Sequence, residues 1–234
     1  MRRRRSLGQH YLVDGSVVDL IVRASGIQPG ERVLEIGTGK GALTLRLGEL
    51  STHLEAFEVD ETNFAATKAL GIRGLRLHLA DVFATSPDFD VLVSSLPYSE
   101  SSNFVEWLSG TTYDRAVVVL QKDFVEKLMS KPGVDKYRAL SVISQISSVI
   151  KVIRVIGRES FSPPPKVFSV VAEIRPRAKL SRAQTRFIKL LFSQRRRKLS
   201  TAFKNLNLET GPIGGELLVK RVQDVSPLEF EAML

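Results

Sequence analysis

Apolar residues fall along this chain into short runs separated by longer stretches of helical period. Runs at Arg32 to Ile36 and near residues 53–59, 75–79, 91–95 and 115–120 are too short for helices and rich in Val, Leu, Ile and Phe. Each is followed by a segment in which apolar residues recur every three or four positions. Such alternation predicts an α/β fold with a mostly parallel sheet and helices on both faces. Before the first run, Asp14 is placed to cap a helix through Ala24, with Gly26 at its end. Two later runs, Val149 to Val155 and Val167 to Ile174, read as strands flanking a loop that holds Phe161 and Pro163-Pro164-Pro165. After Pro176 the pattern turns helical and more basic, which predicts a 1–176 sheet domain and a small helical domain at 177–234.

Three of the runs end on chemistry. The first leads into Glu35-Ile-Gly37-Thr-Gly39-Lys-Gly41 and then a helical pattern. The third glycine arrives one residue too early for the G-x-G-x-x-G dinucleotide fingerprint, so a pyrophosphate on the helix start fits poorly. S-adenosylmethionine fits better. It has no phosphate, glycines let bare backbone approach it, and Glu35 favours its positive charges. About twenty residues on, the second run ends at Glu58, where α/β sheets place a carboxylate for ribose hydroxyls. The third ends at Asp81, positioned to accept from an adenine amino group. Either acid alone is more simply a helix cap or a solvated loop residue; their succession favours the cofactor.

The fourth run ends in Ser95-Leu96-Pro97-Tyr98, the polar-x-Pro-aromatic form used to methylate exocyclic amino groups of bases. An aryl amine is a poor nucleophile because its lone pair is delocalised into the ring. A side-chain oxygen at position 95 and a carbonyl at Leu96 or Pro97 would accept its hydrogens and localise that pair, while Tyr98 stacks on the base. Proline would hold the turn and leave its own carbonyl free.

Taken together, these segments resemble the KsgA-type ribosomal RNA adenine N6,N6-dimethyltransferases of the small subunit. Leu7-Gly8-Gln9-His10-Tyr11-Leu12, Leu120-Gln-Lys-Asp-Phe124, Lys131-Pro-Gly133, Phe161-Ser-Pro-Pro-Pro-Lys-Val167 and Ser193-Gln-Arg-Arg-Arg-Lys198 extend the resemblance over nearly the whole chain. It implies a Rossmann-like S-adenosylmethionine-dependent methyltransferase sheet and transfer, expected to be dimethylation, to N6 of adenosines in small-subunit RNA. It also implies a cofactor pocket bordered by Gln9, His10, Leu12, Glu35, Gly37, Gly39, Glu58, Asp81 and Ser95. Catalysis would fall to Ser95, Leu96, Pro97 and Tyr98. Phe161 either packs on the target base opposite Tyr98 or anchors its loop in the core. The chain departs from the family at Ser95 and His10, each in place of Asn, and at Phe168 in place of Asp. Those changes bear on rate and on the number of methyl groups added more than on fold.

Composition agrees with an RNA partner. The 234 residues carry 34 Lys and Arg against 25 Asp and Glu, a net charge of +9, which favours a polyanion. Two clusters stand out, Arg2 to Arg5 and Arg195-Arg196-Arg197-Lys198. The second is expected on a helix whose apolar face uses Phe187, Leu190, Leu191, Leu199 and Phe203, presenting charge to RNA phosphates. Zero cysteines exclude disulfides, thiolate metal sites and a cysteine nucleophile, and no metal is expected. No secretory or membrane-spanning apolar run follows the basic start, so a cytoplasmic monomer free of membranes is expected. Two other readings stay open: an RNA-binding ribosome-assembly factor with weak or lost transferase activity, hinted at by Ser95, and a methyltransferase of DNA or a small amine.

Overall fold

A computed structural model describes residues 10–211 and 213–234. Its strands are β1 (Tyr11–Leu12), β2 (Val33–Ile36), β3 (Leu54–Glu58), β4 (Arg76–Leu79), β5 (Val91–Ser95), β6 (Arg115–Gln121), β7 (Ser148–Ile156), β8 (Phe161–Ser162) and β9 (Ser169–Pro176). Its α-helices are α1 (Gly15–Ser25), α2 (Ala42–Leu50), α3 (Glu61–Ala69), α4 (Ser101–Ser109), α5 (Lys122–Leu128), α6 (Ala139–Ser147), α7 (Arg182–Phe192), α8 (Leu199–Asn205), α9 (Gly215–Leu218) and α10 (Pro227–Glu231).

Seven strands form one sheet in the order β4-β3-β2-β5-β6-β9-β7. The first five are mutually parallel, and β9 runs antiparallel to both β6 and β7. The mixed sheet with helices on both sides is the one expected from the runs. A parallel strand covered on both faces has no polar side, which is why the central runs are apolar at consecutive positions rather than alternating. Neighbouring residues go to opposite faces. Leu34, Leu92 and Val118 enter one core with Phe104 and Leu108 of α4, while Val33, Val91 and Val117 enter the other with Ile21 of α1 and Leu47 of α2.

Local signals set the boundaries. Asp14 accepts from the Ser16 and Val17 N–H groups at 2.9 and 3.4 Å, and Gly26 ends α1 at φ +55°. Asp14 also accepts from the Ser160 hydroxyl at 3.1 Å, tying the start of α1 to the proline-containing loop. A two-stranded ribbon, β1 antiparallel to β8, brings Leu12 opposite Phe161 in a pairing the hydrophobic pattern did not forecast.

A third core belongs to the C-terminal helices, but they do not close it alone. Ile188, Leu191, Phe203 and Phe230 pack with Val142, Ile143 and Ile146 of α6 and with Tyr137. The fully buried Tyr137 donates its hydroxyl to the Val225 carbonyl at 2.9 Å. The apolar material of this core therefore lies on both sides of residue 176. No helix among the described residues is long and apolar enough to cross a membrane.

Candidate active site

The carboxyl ends of the parallel strands open into a cavity of about 220 Å³. Its wall contains His10, Leu12, Glu35, Gly37, Gly39, Glu58, Asp81, Ser95, Leu96 and Pro97, so the sheet gathers most of the residues singled out from the sequence. Gln9 lies outside the described residues.

Between β2 and α2 the backbone approaches its neighbours too closely for side chains. Gly39 sits at φ +52°, and a Cβ there would meet the Tyr11 ring at 3.1 Å; at Gly41, with φ +84°, it would fall 2.3 Å from Leu70 Cδ1. The turn is held by Glu58. One oxygen of this buried carboxylate accepts the Gly39 N–H at 3.0 Å, and the other accepts those of Val59 and Asp60 at 2.8 and 2.9 Å. Glu58 therefore pins two loops together while facing the cavity. Capping of α3 falls to Asp60 instead, which accepts from Thr62 and Asn63. One oxygen of Asp81 accepts the Phe83 N–H at 2.9 Å, capping the turn Val82–Ala84, and the residue lines the cavity.

Glu35 is different. It is 0 % exposed, and neither of its oxygens has a hydrogen-bond partner. Burial pushes its carboxyl up to about 8, with the Thr44 side chain opposing the shift and the charge of Glu58 adding to it. A buried acid without donors costs free energy as an anion, and a cationic group entering the cavity would remove that cost. This orphaned carboxylate is the feature of the wall that best fits the positively charged end of S-adenosylmethionine.

Ser95 ends β5, the strand next to β2, and its hydroxyl has no hydrogen-bond partner among the described residues. The Pro97 carbonyl, expected to be free, instead accepts the Glu100 N–H at 2.9 Å as the chain turns into α4. Tyr98 is half-buried, its hydroxyl 2.5 Å from Ser169 Oγ and its ring centroid 5.6 Å from that of His10. His10 Nδ1 donates to the Pro163 carbonyl at 2.6 Å, closing the N-terminal segment onto the proline loop. Phe161 does not face a base. It is 3 % exposed, packed in the core with Leu12 and Val17, so of its two readings the loop anchor holds.

The basic run also departs from expectation. Arg195, Arg196, Arg197 and Lys198 form the turn between α7 and α8 rather than a helix. Backbone bonds fix that turn, from Gln223 N–H to the Arg195 carbonyl and from Val222 N–H to the Arg197 carbonyl, each 3.0 Å. Arg195 is occupied with Asp135 at 2.7 Å; Arg196, Arg197 and Lys198 are exposed. Tyr11 and Asn63 are among the wall residues not singled out from the sequence. Tyr11 donates to Asn63 at 3.3 Å beneath Lys40, whose Nζ lies 5.1 Å from the tyrosine ring. Tyr11 was embedded in a recognised block, but nothing in the sequence distinguished Asn63 from other polar residues on α3.

A family model, "Ribosomal RNA adenine dimethylase", matches residues 1–211. The chain belongs to this family. A probable ribosomal RNA small subunit methyltransferase A of Methanothermobacter thermautotrophicus is 30% identical over 240 residues, 97% of this chain and 88% of the relative. A mitochondrial ribosomal RNA small subunit methyltransferase of Arabidopsis thaliana is 32% identical over 212 residues; the match covers 86% of this chain but 56% of that protein. Among solved structures, a dimethyladenosine transferase from Plasmodium falciparum superposes with a TM-score of 0.81 at 25% identity, covering 96% of each chain. The 23S rRNA methyltransferase ErmE shares the fold, with a TM-score of 0.63 at 22% identity over 96% of this chain and 99% of its own.

The buried acid of this dimethylase makes stability depend on pH. Because the folded pKa of Glu35 is raised above 4.5, the folded state holds a proton that the unfolded state has released. Stability is fully present below pH 4.5, falls as pH rises toward about 8, and levels off above. The Glu35→Gln protein should lack this component, so its stability relative to the parent should gain on the order of a few kcal/mol across that window, read by urea denaturation. Parallel pH profiles for the two proteins would contradict the assignment.

Proposed function

We propose that this chain carries out its family's reaction with S-adenosylmethionine as donor, methylating the N6 amino group of adenosines in small-subunit ribosomal RNA. The observation that carries this reading is a single cavity joining the orphaned Glu35 and the acids Glu58 and Asp81 to the Ser95-Leu96-Pro97 wall. Glu35 would pair with the cationic amino-acid end of the donor. Glu58, already holding the glycine turn, keeps acceptor capacity for ribose hydroxyls, and the second oxygen of Asp81 for the adenine amino group. When bound, the sulfonium supplies an activated methyl group, so no covalent enzyme intermediate is required.

The protein's task is then alignment and nitrogen shaping. Ser95 Oγ and the Leu96 carbonyl accept the two amino hydrogens of the target base and hold its lone pair toward the methyl carbon. Tyr98 offers a ring face for stacking, and its bond to Ser169 limits rotation of that ring. The base reaches this site by leaving its stack or from an exposed loop. Arg196, Arg197 and Lys198 present their charges to phosphates from a turn that Arg195 ties down through Asp135. Lys179, Arg182 and Arg186 add cations along a separate groove of about 850 Å³ that shares Phe83 with the first cavity. A cytoplasmic monomer is the simplest setting for such an enzyme. The reading as an assembly factor without catalysis is not favoured, since Ser95 retains an acceptor facing the cavity.

Incubation with labelled S-adenosylmethionine and purified small subunits, large subunits, free RNA or DNA should place label on adenine N6 of small-subunit RNA. Label confined to another substrate would overturn the assignment. In the same assay Ser95→Ala should lower turnover about a hundred- to a thousand-fold, the scale for losing a transition-state hydrogen bond, with donor affinity spared. Turnover and mono- to dimethyladenosine ratio equal to the parent's would reduce Ser95 to a turn residue.

Docking separates from chemistry in a second variant. Replacing Arg196, Arg197 and Lys198 by Ala should weaken RNA binding and flatten its dependence on salt, by about one unit of log-log slope per lost phosphate contact. Donor affinity should not change. An unaltered salt slope would leave this turn as a merely solvated surface.

A further inference from the structure

Phe168 is left without a task by the reaction above. It stands one residue before β9, and its carbonyl accepts the Lys122 N–H at 3.0 Å at the start of α5. The next residue, Ser169, pairs with Gln121 at the end of β6 and with Ile156 at the end of β7, and its hydroxyl holds Tyr98. Phe168 therefore lies at the carboxyl edge of the parallel strands, the edge that carries Ser95 and Tyr98 and on which open α/β sheets bind ligands. A phenylalanine so close to a buried strand would ordinarily turn inward, yet Phe168 is 51 % exposed. The Arg158 guanidinium, from the segment that follows β7, lies 5.6 Å from its ring centroid. Lys122, whose N–H bonds the Phe168 carbonyl, together with Lys166 and Arg158 outnumber the acids Asp123 and Glu159 adjoining them in sequence.

We propose that Phe168 and Arg158 form a stacking platform for an unpaired base of the RNA substrate flanking the target adenosine. This rests on the functional reading above. Aromatic rings and guanidinium planes stack on any base, and the arginine adds attraction for the backbone phosphate. When the target base leaves its stack, its neighbour loses a partner, and a ring one residue from the Tyr98 tether can replace it. An aspartate at this position would repel phosphate and could not stack. The platform contributes to substrate grip and to choice of flanking base.

Phe168→Leu and Phe168→Asp in the full chain test it. On small subunits the loss should fall on KM for RNA, about ten-fold, rather than on kcat or on donor affinity. Phe168→Trp should keep the parent KM, and its added fluorescence over the parent, which carries Trp107, should be quenched by a short single-stranded RNA. Parent KM in both Phe168→Leu and Phe168→Asp overturns the platform, as does loss spread equally over kcat and donor affinity, which would mark a folding residue. Quenching by a protein partner but not by RNA also overturns it. Should the parent itself transfer no methyl to adenosine, the functional reading falls, and quenching of the Phe168→Trp fluorescence by RNA still decides the platform.

Discussion

The site depends on a buried carboxylate that the protein leaves uncompensated. Glu35 and Glu58 stand at or near the carboxyl ends of adjacent parallel strands, both buried, and differ in what surrounds them. Glu58 receives three backbone N–H groups, two from its own loop and one from the glycine turn. Glu35 receives none. Burial and the neighbouring charge therefore favour its neutral form, at a cost to any ionised state on the order of 1.4 kcal/mol per unit of pKa shift. The glycines, their positive φ angles and the Glu58 clasp set the path of the turn that lines the same cavity as this acid.

The same sheet edge organises everything that approaches the cavity. Tyr98 is held by Ser169, His10 by the Pro163 carbonyl, and the β1–β8 ribbon brings the N-terminal segment against the proline loop. The helical region is joined to this frame through a core shared with α6 and through the Lys189–Glu106 ion pair at 2.8 Å between α7 and α4. That pair is partly exposed and contributes little to stability; the shared apolar core does most of the fixing, at roughly 1.5 to 3 kcal/mol for each large side chain buried. The exposed cations of the α7–α8 turn consequently hold a fixed relation to the cavity.

Strands were legible in the sequence because a strand buried on both faces leaves an uninterrupted apolar run, and the acids at their ends were legible because they break it. The α1 boundaries followed from Asp14 and Gly26, whose capping is local. What escaped was decided by distant contacts. Phe161 turns inward because β1 pairs with β8, a partnership between segments about 150 residues apart. The basic run opens into a turn because Val222 and Gln223 bond its carbonyls, satisfying backbone that a helix would otherwise have paired. One escape was local: the Pro97 carbonyl accepts the Glu100 N–H in the short turn into α4, a bend that proline itself promotes.

If the cavity is built to complete the charge of Glu35, donor binding must expel a proton. Near pH 7 the free protein holds Glu35 mostly protonated, its pKa being about 8; a bound cation stabilises the carboxylate, and the proton goes to the buffer. Isothermal titration of S-adenosylmethionine at pH 7 in two buffers of different ionisation enthalpy counts that proton. The parent should release nearly one proton more per site than Glu35→Gln. Equal proton counts with intact binding in both proteins would contradict the account.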